Sequence, residues 1–172
     1  MHHFTVENLR ACFESLDAKK AVGVDGVTKA MYGQDLEANL QDLHRRLHQM
    51  AYRPKPVRRA EIPKEDGSTR PLGISCVEDK IVQEMVRRLL EAIYEPVFID
   101  TSYGFRPGRS CHDALRRLNH EVMSAPVNWL LEMDLAKFFD TMPHTEILAV
   151  LSERIADQKL LRLIARMLKA GV

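Results

Sequence analysis

The sequence predicts an α+β fold that is rich in helices, with one β-hairpin and the start of a second sheet. Apolar residues recur at helical spacing in several segments, two strand-like segments flank an Asp-Gly pair, and one apolar segment ends abruptly in an acid. The chain has 172 residues, of which 45% are hydrophobic and 28% are charged. This length and composition suffice for a buried core, so we expect one globular domain or slightly more.

Apolar side chains recur every three or four positions along most of the chain, which predicts helices. The predicted helices lie before residue 23 and at about 36–50, 78–94, 110–122, 147–155 and 160–168. The helix at 110 has its own start signal, because Ser110 is followed three residues later by Asp113.

A β-hairpin is predicted between these helices. Residues 57–63 and 68–74 flank the sequence KEDG, whose Asp66-Gly67 pair favours a tight turn. Residues 45–70 hold eight basic and three acidic side chains, a net charge of +5, whereas the rest of the chain carries −4. Such a local field concentrates polyanions at one face. The alternative is a solvated helix end and hairpin without a ligand.

The segment WLLEM, residues 129–133, predicts a short strand that presents Asp134 at the edge of a sheet. In that position Mg²⁺ can be held through one or two carboxylates together with substrate phosphates. A single acid does not make a two-metal site, which needs further ligands that bridge both ions.

The loop SYGFRPGRS, residues 102–110, places aromatic and basic side chains together. Tyr103 and Phe105 offer faces on which bases can stack, while Arg106 and Arg109 can hold phosphate. In the alternative reading, the aromatic residues cap the core and the arginines pair with nearby acids.

Other features limit the class of protein. The three cysteines, Cys12, Cys76 and Cys111, lie far apart and form no C-x-x-C pair, so we expect buried free thiols. No apolar run approaches the ~20 residues that span a bilayer, and no leader segment is recognisable. These features predict a soluble, cytoplasmic protein without a membrane partner.

The order of the motifs resembles the reverse transcriptases of bacterial group II introns, also called intron-encoded maturases. GVDGV resembles an N-terminal block of that family, and RPKPVRRAEIPKEDGSTRPLGI resembles its first fingers motif. DKIVQEMVRRLLEAIYEPVF and SYGFRPGRSCHDAL resemble the next block. EMDLAKFFDTMPH resembles motif A of the polymerase palm.

The resemblance implies a role for each matching residue. Asp134 is the motif A ligand for catalytic Mg²⁺, joined by the backbone carbonyl of Leu135. Phe139 clashes with a 2′-hydroxyl and thereby selects deoxyribonucleotides. Lys64 and Arg70 grip the triphosphate of the incoming dNTP. The nucleic-acid contacts are expected at Arg58, Arg59, Tyr103, Phe105, Arg106 and Arg109.

The family pattern also predicts a division of the chain, with fingers at 1–126 and the beginning of the palm at 127–172. Motif B and the Tyr-x-Asp-Asp turn of the family do not occur in the 172 residues. We therefore expect that these residues alone do not polymerise. Apolar side chains such as Leu130, Leu148 and Leu161 are expected to lack partners, which favours a homo-oligomer.

Two functions follow as hypotheses. The first is an RNA-directed DNA polymerase that binds an RNA template, a DNA primer and dNTP, with a possible maturase role on intron RNA. The second is a non-catalytic RNA-binding module that assists splicing. They differ in what Asp134 does, since only the polymerase requires its carboxylate.

Overall fold

The structure is a computed structural model that describes residues 1–63, 65 and 67–171, apart from the side chain of Asp140. The helices are α1 (Val6–Ser15), α2 (Lys29–Gln34), α3 (Leu36–His48), α4 (Val77–Tyr94), α5 (Cys111–Ser124), α6 (Phe138–Thr141), α7 (His144–Ser152) and α8 (Gln158–Leu168). A short 3₁₀ turn, Glu95–Val97, follows α4. The strands β1 (Arg58–Pro63) and β2 (Thr69–Ile74) form an antiparallel hairpin.

The predicted α+β class, the hairpin and the predicted helices are confirmed. The start of α5 follows the predicted rule: the Ser110 hydroxyl accepts a hydrogen bond from the Asp113 amide at 3.2 Å. In return, the Asp113 carboxylate accepts one from the Ser110 amide at 2.9 Å. This reciprocal pair satisfies two amides that the first turn of a helix leaves without partners.

The strand predicted at residues 129–133 is wrong. Residues 127–135 have no regular secondary structure, and within the described part of the chain β1 and β2 pair only with each other. A strand needs a neighbour for its backbone amides and carbonyls, and here no third strand provides one. Asp134 therefore does not lie at the edge of a sheet.

The chain divides into two compact units. The first, the core unit, contains Met1–Leu89 and Pro143–Val172; the second, the motif unit, contains Leu90–Met142. The predicted functional boundary at residue 126 concerns fingers and palm, and it stays a prediction.

The core unit contains the hydrophobic core. Its side chains with less than 2% exposure come from α1, α3, α4, α8 and the connecting segments: Phe4, Leu9, Cys12, Leu40, Leu43, Leu47, Tyr52, Cys76, Ile81 and Val82 are examples. The buried leucines of α1 and α3, with Ile81 and Val82 of α4, lie on the apolar faces that the helical spacing predicts. Leu161, expected to lack partners, is only 8% exposed, because α8 buries this face within the unit.

The motif unit has no buried residue among those described. Leu130 is 73% exposed, as expected, and Trp129 is 92% exposed. Cys111 is exposed, contrary to the predicted burial of the three thiols, whereas Cys12 and Cys76 are buried. Across the described residues, no helix combines the length and apolar content needed to cross a bilayer.

Candidate active site and nucleic-acid interface

Asp134 lies in an open concavity of the motif unit. The concavity has a volume of about 640 Å³ and is lined by Met133, Asp134, Leu135, Lys137, Phe138 and Phe139. The Asp134 side chain is exposed. Its carboxylate oxygens are therefore accessible to a cation from solvent.

The backbone after Asp134 turns sharply at Lys137, which adopts a left-handed conformation with φ of 52°. Few residues other than glycine adopt this conformation. The Lys137 carbonyl then accepts hydrogen bonds from the Thr141 amide and hydroxyl, both at 3.0 Å. Phe138 and Phe139 pack edge to face at 5.5 Å in the short α6. This turn places the Phe139 ring, 86% exposed, in the wall of the concavity.

Two oxygen donors suited to a divalent cation are available here, the Asp134 carboxylate and the backbone carbonyl of Leu135. A carboxylate and a backbone carbonyl are oxygen donors of the kind that Mg²⁺ prefers. Within the described residues, no cluster of three His, Cys, Asp or Glu side chains could hold a metal ion. Other oxygens, such as substrate phosphates or carboxylates, must complete the coordination.

The register of the hairpin sorts its arginines. Arg70 lies opposite Ile62 in β1, and Arg59 lies opposite Gly73 in β2. Since side chains alternate between faces along a strand, Arg58 and Arg70 share one face and Arg59 lies on the other. Lys64, at the tip, lies outside the described residues.

The hairpin arginines differ in their partners. Arg58 Nε donates to the Val22 carbonyl at 3.0 Å, and Arg59 Nε donates to Glu61 at 3.0 Å. Arg59 remains 59% exposed, and an ion pair this exposed contributes little to stability. Arg70 is exposed as well. The sequence placed these residues in one basic group, but the structure separates them by face.

The entry to the hairpin is fixed by a buried carboxylate. Asp79, at the start of α4, is 2% exposed. One of its oxygens accepts a hydrogen bond from the Tyr52 hydroxyl, and the other accepts one from the Lys55 amide at 3.2 Å. Burial raises the pKa of Asp79, although both hydrogen bonds oppose that shift.

Contacts from the end of the chain hold the same segment. Arg166 in α8 donates to the carbonyls of Met50 at 2.7 Å and Tyr52 at 3.2 Å. The Val57 amide, next to β1, donates to the Gly171 carbonyl at 3.0 Å. The base of the hairpin is therefore tied to residues distant in sequence.

The GVDGV block supports this entry from a third direction. Asp25 accepts hydrogen bonds from Lys55 Nζ at 3.0 Å and from the Val27 amide at 3.1 Å. Burial raises its pKa, but these bonds outweigh that effect and the net shift is downward. Gly23 packs so closely on Cys76 that a Cβ there would lie 2.7 Å from the Cys76 backbone.

In the loop at 102–110, the Arg106 side chain is held by hydrogen bonds and an ion pair within the protein. Its guanidinium pairs with Glu95 at 2.8 Å and donates to the carbonyls of Ile99 and Ser102, both at 2.9 Å. Only 6% of its side chain is exposed, and the bond from Arg106 lowers the pKa of Glu95. This geometry matches the part of the alternative interpretation in which the arginines pair with nearby acids. Its contact with nucleic acid stays a prediction.

The other loop residues face solvent to different degrees. The Phe105 side chain is fully exposed, at 106%, and its backbone has φ of 58°. Arg109 lies over the Tyr103 ring, 5.6 Å from its centroid, and contacts the Asp100 carbonyl at 3.2 Å. A fully exposed aromatic ring in a strained conformation is a suitable surface for base stacking.

Sequence reasoning missed several residues that position the site. Tyr52, Asp79 and Glu95 each bind a segment that carries predicted contacts. Asp79 had no distinctive signal, because it lies between Glu78 and Lys80 in the charged first turn of α4, where acids are common. Tyr52 and Glu95 had none either, since their partners are 27 and 11 residues away.

Comparison with known proteins identifies the family. The model of the family "Reverse transcriptase (RNA-dependent DNA polymerase)" matches residues 62–171, well over half of the chain. The chain belongs to the reverse transcriptase family. The predicted resemblance is confirmed. The matched region contains the motif A segment and begins near the end of strand β1 of the hairpin.

The relatives of this reverse transcriptase chain include intron-encoded proteins. It is 38% identical over 160 residues to the group II intron-encoded protein LtrA of Lactococcus lactis, covering 92% of the chain and 26% of LtrA. It is 40% identical over 152 residues to protein YkfC of Escherichia coli, covering 87% of the chain and 40% of YkfC. Nuclear intron maturase 2 of Arabidopsis thaliana is 36% identical over 87 residues. The chain thus spans about a quarter to two fifths of the first two relatives.

Proposed function

We propose that this chain is the template- and nucleotide-binding part of an RNA-directed DNA polymerase of group II intron type. The observation that carries the proposal is Asp134, an exposed carboxylate in an open concavity of a chain that belongs to the reverse transcriptase family. The proposed partners are an RNA template, a DNA primer and dNTP. Intron RNA is a further partner in a maturase role, as the names of the relatives suggest.

In this proposal, Asp134 and the Leu135 carbonyl hold Mg²⁺. When bound, the ion neutralises charge on the nucleotide phosphates during transfer to the primer 3′-hydroxyl. Arg70 and Lys64 hold the triphosphate by charge-assisted hydrogen bonds, which also offset the charge that develops in the transition state. Phe139 limits the space at the 2′ position of the sugar.

The nucleic-acid contacts divide by geometry. Phe105, whose side chain is fully exposed, is proposed as a stacking residue. Arg59 and Arg109 are proposed as phosphate contacts, because 59% of the Arg59 side chain and 31% of the Arg109 side chain are exposed. Tyr103 supports Arg109 through the cation–π contact.

Arg106 is only 6% exposed and donates to the carbonyls of Ile99 and Ser102, so we propose that it acts chiefly by shaping the loop. Arg58 is exposed although its Nε donates to the Val22 carbonyl, and we propose it as a further phosphate contact.

A non-catalytic RNA-binding module is the second candidate. It is favoured by the single carboxylate in the concavity and by the exposed aromatic and basic loop, neither of which requires chemistry. A complete intron-type protein can perform both roles.

The test is Asp134→Asn in a polymerase-competent protein that contains this chain. We expect nucleotide addition to fall at least about a thousandfold, since an essential metal ligand is lost, while affinity for template RNA changes little. Glu132→Gln is the matched control, because Glu132 is also exposed and lies two residues away. Retained extension by Asp134→Asn would favour the binding module. In that case Arg59→Gln should weaken RNA binding and reduce its salt dependence.

Two further expectations belong to this proposal. The 172 residues alone should give no primer extension on an RNA template with dNTP and Mg²⁺; robust product would overturn this. The exposed apolar side chains of the motif unit favour a homo-oligomer of the isolated chain, since large apolar patches promote association. Sedimentation showing only monomer at high concentration would contradict it.

A further inference from the structure

A second cavity, in the core unit, has no part in the proposed polymerase site. It has a volume of about 330 Å³ and lies between residues 16–22 and the face of α4 that contains Lys80, Gln83 and Arg87. Leu16, Val22 and Val77 contribute apolar surface to its wall. Charges that face such a wall interact more strongly than charges in open water.

Cations predominate around this cavity. Lys20, Lys29, Lys80 and Arg87 line it, against Asp17 and Glu84. Glu84 is already paired with Arg87 and Arg88, both at 2.8 Å. In the part of the chain that the structure describes, none of the three lysines forms an ion pair, and with Glu84 paired they outnumber the remaining carboxylate of the lining, Asp17.

Backbone carbonyls hold two of these lysines in place. Lys80 Nζ donates to the Ala21 carbonyl at 2.7 Å. Lys29 Nζ donates to the carbonyls of Glu14, at 3.0 Å, and Leu16. Burial lowers the pKa of Lys80, and repulsion from Lys20 lowers it further. Carbonyls orient an ammonium group without neutralising it, so a bound anion would relieve this repulsion.

We propose that this cavity binds a phosphate group, either on a nucleic-acid strand or as free phosphate. Three ammonium groups that form no ion pair favour phosphate over a carboxylate, because a free or terminal phosphate carries up to two charges and a backbone phosphate belongs to a polyanionic strand. Lysine binds phosphate as a point charge from several directions, and an ammonium group carries three N–H donors, so Lys80 retains donors beyond its bond to the Ala21 carbonyl. The proposal does not depend on Asp134 or on polymerase activity.

The first experiment titrates the 172-residue chain with inorganic phosphate and follows the amide resonances of residues 16–22 by NMR. We expect saturable shifts, with affinity lowered about three- to tenfold in Lys20→Gln and in Lys80→Gln. Lys20 has no described hydrogen bond from its side chain, so its loss should leave the fold intact. Lys159→Gln is the matched control, since Lys159 is exposed and lies outside the cavity.

The second experiment distinguishes the sources of phosphate with a short RNA carrying either a 5′-phosphate or a 5′-hydroxyl. A strand end is supported when only the 5′-phosphate form loses affinity in Lys20→Gln. A backbone phosphate is supported when both forms lose affinity and the salt slope falls by about 0.7. Free phosphate is supported when neither RNA responds to the substitution but inorganic phosphate does. The proposal is overturned if no probe binds, if acetate binds as well as phosphate, or if Lys159→Gln loses as much affinity as Lys20→Gln.

Discussion

The two units of this chain use apolar residues in opposite ways. The core unit buries them in contacts among its helices, whereas the described residues of the motif unit include none that is buried. The motif unit instead relies on polar networks, of which the Arg106 and Glu95 pair is the most enclosed. The proposed ligand contacts lie in both units: Arg59 and Arg70 belong to the hairpin of the core unit, whereas Phe105 and Asp134 belong to the motif unit.

The largest expected difference between the units concerns their leucines. Leu43→Ala, at a position with no exposure, should lower the free energy of unfolding by about 3 kcal/mol, because it creates a cavity in the core. Leu131→Ala is the matched change in the motif unit, where the side chain is 78% exposed, and should change it by less than about 0.5 kcal/mol. Urea denaturation measures both. Equal losses would show that the motif unit has a core of its own.

The next effect concerns the buried hydrogen bond at the entry to the hairpin. Tyr52→Phe should cost about 1–2 kcal/mol, because it leaves one oxygen of the buried Asp79 carboxylate without its donor. Tyr103→Phe in the motif unit serves as the control and should be nearly neutral. Thermal unfolding of both variants tests this, and a neutral Tyr52→Phe would show that the pair does not stabilise the core unit.

A smaller, pH-dependent effect is expected at Glu84. The hydrogen bond that Glu84 accepts from Arg87 lowers the pKa of Glu84. Burial opposes this shift and Arg88 adds to it, and the pKa falls from 4.5 to about 2. A carboxyl whose pKa is lowered on folding stabilises the folded state above pH 4.5, and this contribution is lost as the pH falls towards 2. Glu84→Gln should lower the free energy of unfolding by about 1 kcal/mol at neutral pH. The loss is kept small because Arg87 and Arg88 are partly exposed to solvent.

The check on Glu84 is the pH profile of the difference in unfolding free energy between the variant and the original chain. The difference should narrow as the pH falls from neutral to about 3. Glu121→Gln, in an exposed pair with Arg117, is the control and should show little dependence. A constant difference would mean that Glu84 acts through packing.

The smallest effect on global stability is expected in the motif unit. Glu95→Gln removes the charge that holds the Arg106 guanidinium, so the loop at 102–110 should open more often. Hydrogen exchange at the Ser102 and Arg109 amides should accelerate, since they donate to the carbonyls of Ile99, just before this loop, and of Arg106, within it. Exchange in α4 before Leu89 should stay unchanged. Faster exchange in both regions would show that the two units unfold together.

The sequence predicted most of the helices because their signals are local. The apolar spacing of residues 36–50 leads directly to α3, and the Ser110 and Asp113 pair leads directly to the start of α5. The hairpin also followed from a local signal, its Asp-Gly turn. The strand at 129–133 was wrong because strand formation depends on a partner, and an apolar run does not specify one.

The candidate site shows the same limit. Asp134 and Phe105 were identified from residue type and motif order, and the structure finds both exposed. The sequence could not reveal that Arg106 is enclosed by Glu95, or that Arg59 faces away from Arg70, because burial and strand register arise from packing.

By itself, the sequence determined the family, the helices and the residue types available for chemistry, since these depend on motif order and on periodicity within single segments. Only the tertiary structure decided which charges are paired and which remain open. Asp79 and Tyr52 meet across 27 residues, and Lys20 and Lys80 come to line one cavity. Such contacts between residues distant in sequence depend on how the helices pack. They decide the electrostatic free energy of each charge, because that energy is set by its neighbours in space.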